Sequence, residues 1–101
     1  MTAPAPPFDI VHNLRANRFE ASVGGKLCRA DYRRVGDTLH LTYTEVARGL
    51  EGRGIAGSLV QATLDYAQAN GLKVIPLCSY VRAYMRRHPA THALLAASAR
   101  V

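Results

Sequence analysis

EGRGIAGSLV, residues 51–60, places three glycines within six residues and runs straight into an amphipathic stretch. From Gly54 to Asn70 the apolar residues Ile55, Leu59, Val60, Leu64 and Ala67 recur at helical spacing. Ser58, Gln61, Asp65 and Gln68 take the other face, and Asn70-Gly71 supplies a stop. The glycines therefore stand at the first turn of a helix. Free N–H groups and the helix dipole at such a place bind phosphate, and Gly52 and Gly54 let a ligand approach the main chain. A plain hinge before a helix would carry the same letters, and spacing alone does not separate the two. Gly-Lys-Ser/Thr is missing, so this is not a Walker A loop, and GRGIAG lacks the dinucleotide spacing G-x-G-x-x-G.

Upstream, the period is two. IVHN (10–13) and RFEASV (18–23) flank a polar turn, and Gly24-Gly25 is a hairpin signal. KLCRADYRR (26–34) alternates, with Leu27, Cys28, Ala30 and Tyr32 as its apolar members. After the turn at Val35-Gly36-Asp37, TLHLTYTEV (38–46) alternates again and predicts Leu39, Leu41 and Tyr43 on one face. Four strands on short turns make an antiparallel meander. Downstream, LKVIPLC (72–78) reads as a short strand whose Pro76 marks an end or edge. SYVRAYMRRH (79–88) reads as a second helix stopped by Pro89, and THALLAASARV as a weakly packed last turn. The order is β-β-β-β-α-β-α. A strand–helix–strand crossover is right-handed, so strands four and five are expected to be parallel neighbours. The fold class is α+β, with a mixed, mainly antiparallel sheet.

At 101 residues there is room for one domain, read as 10–101 behind a flexible Ala/Pro-rich lead-in at 1–9. Hydrophobic content of 49% and charged content of 20% describe a globular chain, and no apolar run nears the roughly 18 residues of a membrane helix. The lead-in has neither the basic nor the apolar part of a signal peptide. Cys28 and Cys78 are too few for a disulfide framework and lack metal-ligand spacing, so no metal and a reducing, cytoplasmic setting are expected. The net charge of +6, from eleven arginines and two lysines against seven acids, points to an anionic partner or to a basic surface without function.

The stretch TEVARGLEGRGIAGSLV (44–60) resembles motif A of the GNAT superfamily of acetyl-CoA-dependent N-acetyltransferases. There, a strand ends in a hydrophobic residue, here Val46. Five residues later begins Q/R-x-x-G-x-G/A, here Glu51-Gly52-Arg53-Gly54-Ile55-Ala56. The first position departs from the pattern, although an acidic residue near the first turn complements the helix dipole. Residues 18–89 resemble the short, stand-alone branch of the superfamily, a truncated GNAT fold.

The resemblance implies acetyl-CoA as co-substrate and an amine as acceptor, reacting by direct attack in a ternary complex. It implies that strands four and five splay around the pantetheine arm, held by main-chain groups around Val46 and Ala47, with the Val46 N–H as oxyanion donor. The N–H groups of Arg53, Gly54, Ile55, Ala56 and Gly57 would hold the pyrophosphate. Tyr84 matches the motif B tyrosine, a general acid for the departing thiolate, although His88-Pro89 stands where Gly-Phe is usual. The bland alternative for Tyr84 is core packing. Cys78 ends strand five near the expected thioester, either as a nucleophile or as a small buried hydrophobe. Glu45 precedes Val46 and is the first candidate base, with its direction open; His40 is a weaker one. Arg82, Arg86 and Arg87 would meet the CoA 3′-phosphate, an acidic substrate, nucleic acid or, most commonly for such runs, only solvent. An open acceptor side suits a small-molecule or protein amine, or a second copy completing a homodimer. The competing class is a non-catalytic module binding acyl-CoA or nucleic acid. Having only Phe19, Tyr32 and Tyr43 as strand aromatics counts against nucleic acid.

Overall fold

A computed structural model describes residues 8–101. Its elements are β1 (Val11–Asn13), β2 (Arg18–Val23), β3 (Lys26–Val35), β4 (Thr38–Glu45), α1 (Ile55–Ala69), β5 (Lys73–Pro76), α2 (Ser79–Arg87) and a 3-10 turn at Pro89–Leu94. One sheet has the order β1-β2-β3-β4-β5, antiparallel through β4 and parallel between β4 and β5. Of the expected lead-in, residues 1–7 lie outside the described residues. Phe8 packs, partly buried, against the core.

Alternation decides which face of the sheet is covered. Phe19, Ala21, Cys28, Ala30, Tyr32, Leu39 and Leu41 are buried and meet Leu59, Val60, Leu64 and Ala67 of α1 in one cluster. Val81, Tyr84 and Met85 of α2 join the same cluster beside α1. The other face carries Arg18, Glu20, Arg29, Asp31 and Arg33 and is open to water or only half-covered.

Two expectations need correction. Tyr43 does not continue the Leu39–Leu41 face. The register of β3 on β4 slips between Asp31↔Tyr43 and Tyr32↔Leu41, leaving Thr42 as an extra residue. Such a bulge turns every later side chain over. Tyr43 is consequently 45% exposed, with the Arg29 guanidinium 5.3 Å from its ring centre, and Thr44 points inward instead. The second correction is the tail, which is anchored to β5. Leu95 bridges Val74, the Ala96 N–H bonds the Val74 carbonyl, and Lys73 Nζ donates to Ala93 O at 2.9 Å.

Candidate functional site

β5 stops pairing with β4 at Leu41↔Pro76, while β4 continues to Glu45. The Leu77 and Cys78 N–H groups both turn back to the Leu41 carbonyl, so the chain leaves the sheet there and enters α2. The last four residues of β4 have no β5 partner, and the two strands splay. On the α1 side of the splay lies a cleft of about 440 Å³ whose walls include Thr44, Val46, Glu51, Gly54, Ala56 and Tyr80.

The floor of the cleft is the start of α1. Gly54 caps the helix with φ 76° and no side-chain bond, and the first helical bond is Ser58 N–H to Gly54 O at 3.1 Å. The N–H groups of Ile55, Ala56 and Gly57 therefore have no helical acceptor. A Cβ added at Gly52 or Gly54 would meet no atom within 4 Å, so both residues present bare backbone to open space. A positive φ restricts both positions to glycine with little exception. Uncommitted donors, the positive end of a 15-residue helix and bare main chain fit an anionic group.

The loop between β4 and α1 is pinned from below. The Ala47 N–H bonds Cys28 Sγ at 3.4 Å, Lys26 Nζ donates to Arg48 O at 2.9 Å, and the Gly49 N–H donates to Glu51 Oε2 at 2.9 Å. Of the residues expected to hold a cofactor, Val46, Gly54, Ile55 and Ala56 line the cleft, Gly57 lies in the adjoining turn, and exposed Arg53 lies at its rim. The Ala47 N–H is already engaged by Cys28. No acid occupies the first turn of α1, so Glu51 serves the loop and not the helix dipole. Sequence reasoning missed Cys28 and Lys26 as loop anchors, because the pairing of β3 with the end of β4 depends on the bulge.

The three side chains expected to carry chemistry are separated. The Tyr84 hydroxyl donates to Gln61 Oε1 on α1, and its ring stacks on His88 at 4.0 Å. Burial raises its pKa above the ordinary 10.0, helped by nearby Tyr80 and Asp65 and opposed by Arg87. Glu45 is turned by the bulge onto the open face, 3.7 Å from Arg29 Nε. Half-buried Cys78 faces Thr44 across the splay, with Sγ and Oγ1 3.8 Å apart. His40 lies on the open face opposite Arg33.

The family model for GCN5-related N-acetyl-transferase matches residues 18–94, from the start of β2 to the 3-10 turn. The chain belongs to the GCN5-related N-acetyltransferase family. Protein NATD1 of Homo sapiens is 34% identical over 86 residues, covering 82% of this chain and 76% of that protein. Protein NATD1 of Xenopus tropicalis is 32% identical over 89 residues, covering 85% and 82%. The solution NMR structure of a GCN5-like protein from Staphylococcus aureus superposes with a TM-score of 0.70 over 87% of each chain, at 23% identity, and shares the fold. The cleft sits where the Glu51–Ala56 stretch meets the end of β4, within the residues the family model matches. Among the described residues no group of three or more His, Cys, Asp or Glu could hold a metal ion.

Proposed function

We propose that this protein binds acetyl-CoA in the cleft and transfers the acetyl group to an amine. The observation that carries this reading is the uncapped start of α1, with bare backbone at Gly52 and Gly54, opening into a cleft at the β4–β5 splay. The N–H groups of Gly54, Ile55, Ala56 and Gly57 would hold the diphosphate, with Arg53 at the rim. Acetyl-CoA supplies a thioester whose C–S bond breaks as the amine forms a C–N bond; the amine gives up one proton to a base, and the departing thiolate takes one up from water. The Val46 main chain is the candidate donor to the carbonyl oxygen. Such donors are worth about 3–4 kcal/mol when preorganised. Glu45, on the far side of β4, would take the proton of an amine arriving through the splay from the open sheet face.

A second reading has its own observation. The Tyr84 hydroxyl is committed to Gln61, and Glu45 lies outside the cleft, so the same cleft would serve a protein that binds acyl-CoA without transferring it. CoA thiol release that requires added amine separates the two.

Binding is tested first, by the thermal-unfolding midpoint with and without acetyl-CoA. Ligand at 100 times its dissociation constant stabilises by about 2.7 kcal/mol. For a domain of this size that raises the midpoint on the order of ten degrees. Gly54→Asp should remove the rise. Gly36→Ala, in the β3–β4 turn with φ +59° and free space around it, imposes similar backbone strain away from the cleft and should keep the rise. No shift with the wild-type chain at millimolar acetyl-CoA would refute the reading.

A further inference from the structure

Tyr80 and Tyr84 stand one turn apart on α2, and both lie over Gly57. A Cβ at Gly57 would sit 3.6 Å from Tyr84 Cε2 and 3.7 Å from the Tyr80 hydroxyl. Their hydroxyls differ in fate. Tyr84 spends its proton on Gln61, inside the α1–α2 contact. Tyr80 is half-buried and lines the cleft, and its hydroxyl has no hydrogen-bond partner among the described residues. The hydroxyl is not sealed from water, so in the free protein it is solvated at the cleft wall and available to a bound ligand.

The groups opposite it narrow the choice of partner. The first turn of α1 presents the N–H groups of Ile55, Ala56 and Gly57, which are donors without helical acceptors. The phenol adds one more donor at the same place. The phenol can accept as well as donate, but the main-chain groups beside it only donate, so the cluster as a whole suits a ligand oxygen that accepts, as a phosphate oxygen does.

We propose that the Tyr80 hydroxyl donates a hydrogen bond to the diphosphate of the bound co-substrate, closing the cleft from the α2 side while the α1 backbone holds it from below. The inference rests on the acetyl-CoA reading above and adds a side chain to a cradle otherwise made of main chain.

The test is calorimetric titration of the full chain with acetyl-CoA and, separately, with CoA, comparing wild type, Tyr80→Phe and Tyr84→Phe. Tyr80→Phe should weaken both ligands equally, about tenfold, the size of one charge-assisted hydrogen bond. It should leave the unfolding midpoint of the free protein unchanged, since the hydroxyl has no partner to lose. Tyr84→Phe should lower the midpoint and leave both affinities within twofold. Unchanged affinity in Tyr80→Phe, or a loss confined to acetyl-CoA, would overturn the assignment, the latter by moving the hydroxyl to the acyl end. Loss of affinity in Tyr84→Phe alone would overturn it as well. If the wild type binds neither ligand, the acetyl-CoA reading itself fails, and a wild type that binds with an unaffected Tyr80→Phe sinks only this inference.

Discussion

Tyr84 and His12 show how a single polar ring, buried or partly so, fixes both a position and a pH dependence. The Tyr84 hydroxyl bridges α2 to Gln61, and Gln61 Nε2 passes a second bond to Asp65 Oδ1 at 2.8 Å. Tyr84→Phe leaves the Gln61 carbonyl without its donor and should cost about 1 kcal/mol. That lowers the thermal midpoint by about 4–8 °C. Because burial raises the folded pKa above 10.0, the neutral phenol is the form the fold favours. Its contribution is complete below pH 10 and is lost as pH rises through the folded value. Urea unfolding between pH 9 and pH 11 should therefore show a shallower alkaline loss in Tyr84→Phe than in wild type. His12 works with the opposite sign. Its ring stacks on Phe19 at 4.1 Å, meets the edge of Tyr66 at 4.4 Å and shares a 2.6 Å hydrogen bond with the Tyr32 hydroxyl. Desolvation lowers its pKa below 6.5, so the unfolded chain binds the proton more readily. This contribution is present above pH 6.5 and is lost as pH falls through the folded value. In His12→Gln the stability slope between pH 6.5 and pH 4.5 should flatten. An unchanged slope would show that His12 is not the group titrating.

The chemistry is placed by elements that alternation alone describes incompletely. Strand and helix periods place the meander and the crossover helix, because each has a buried face that a one-residue error would expose, and the crossover then makes β4 and β5 parallel. Thr42 breaks that logic. Nothing in TLHLTYTEV marks an extra residue, and Tyr43 satisfies the alternation that the bulge overrides. The direction of Glu45 was unreadable for the same reason. The motif around Gly54 was legible because helix start, glycines and strand end lie within ten residues. Tyr80 was not, since choosing between two tyrosines on one helix depends on how α2 approaches Gly57. The last helical turn is legible at Pro89–Leu94, but its anchoring is not, since the bridge and main-chain bond to β5 are not encoded by composition. Deleting residues 89–101 removes the His92 ring bond to Met85 O, the Lys73–Ala93 bond and the Ala96–Val74 bond. At about 1 kcal/mol each, the truncated chain should lose roughly 3 kcal/mol. It also uncovers the outer edge of β5, which should add concentration-dependent association to the thermal shift, since a bare edge pairs with other chains. Sedimentation of the truncated and full chains at matched concentrations reads this directly. A truncated chain with an unchanged midpoint and mass would show that the tail only lies on the surface.

Among the described residues the ion pairs all lie on the open face of the sheet. On the open side of the sheet, Arg18 pairs with Glu20 at 2.7 Å, and Arg29 stands between Asp31 and Glu45 at 3.7 Å from each. Arg48, Arg53, Arg82, Arg86 and Arg87 lie in the loop before α1 and on α2, with no carboxylate partner among the described residues. Arg48 and Arg53, in the loop that walls the cleft, give it a basic rim, while Arg15, Arg33, Arg34 and Arg100 also lack a carboxylate partner among the described residues, and the surplus as a whole would draw in any polyanion, nucleic acid included. Ionic strength distinguishes steering by that rim from holding by the cradle. If five surface arginines neutralised single-strand phosphates, the salt slope would be about −3.5, and a fourfold rise in salt would weaken an oligonucleotide by about a hundredfold. Donors of the main chain inside a cleft are screened less than exposed side chains. Acetyl-CoA affinity should then fall less than tenfold between 50 and 200 mM salt, while a labelled oligonucleotide, bound at 50 mM, should be released by 200 mM. If the two lines run parallel on a log–log plot, the arginines hold the nucleotide and the start of α1 does not. A flat acetyl-CoA line beside a steep oligonucleotide line would give the cradle the binding and leave the arginines only the rate of encounter.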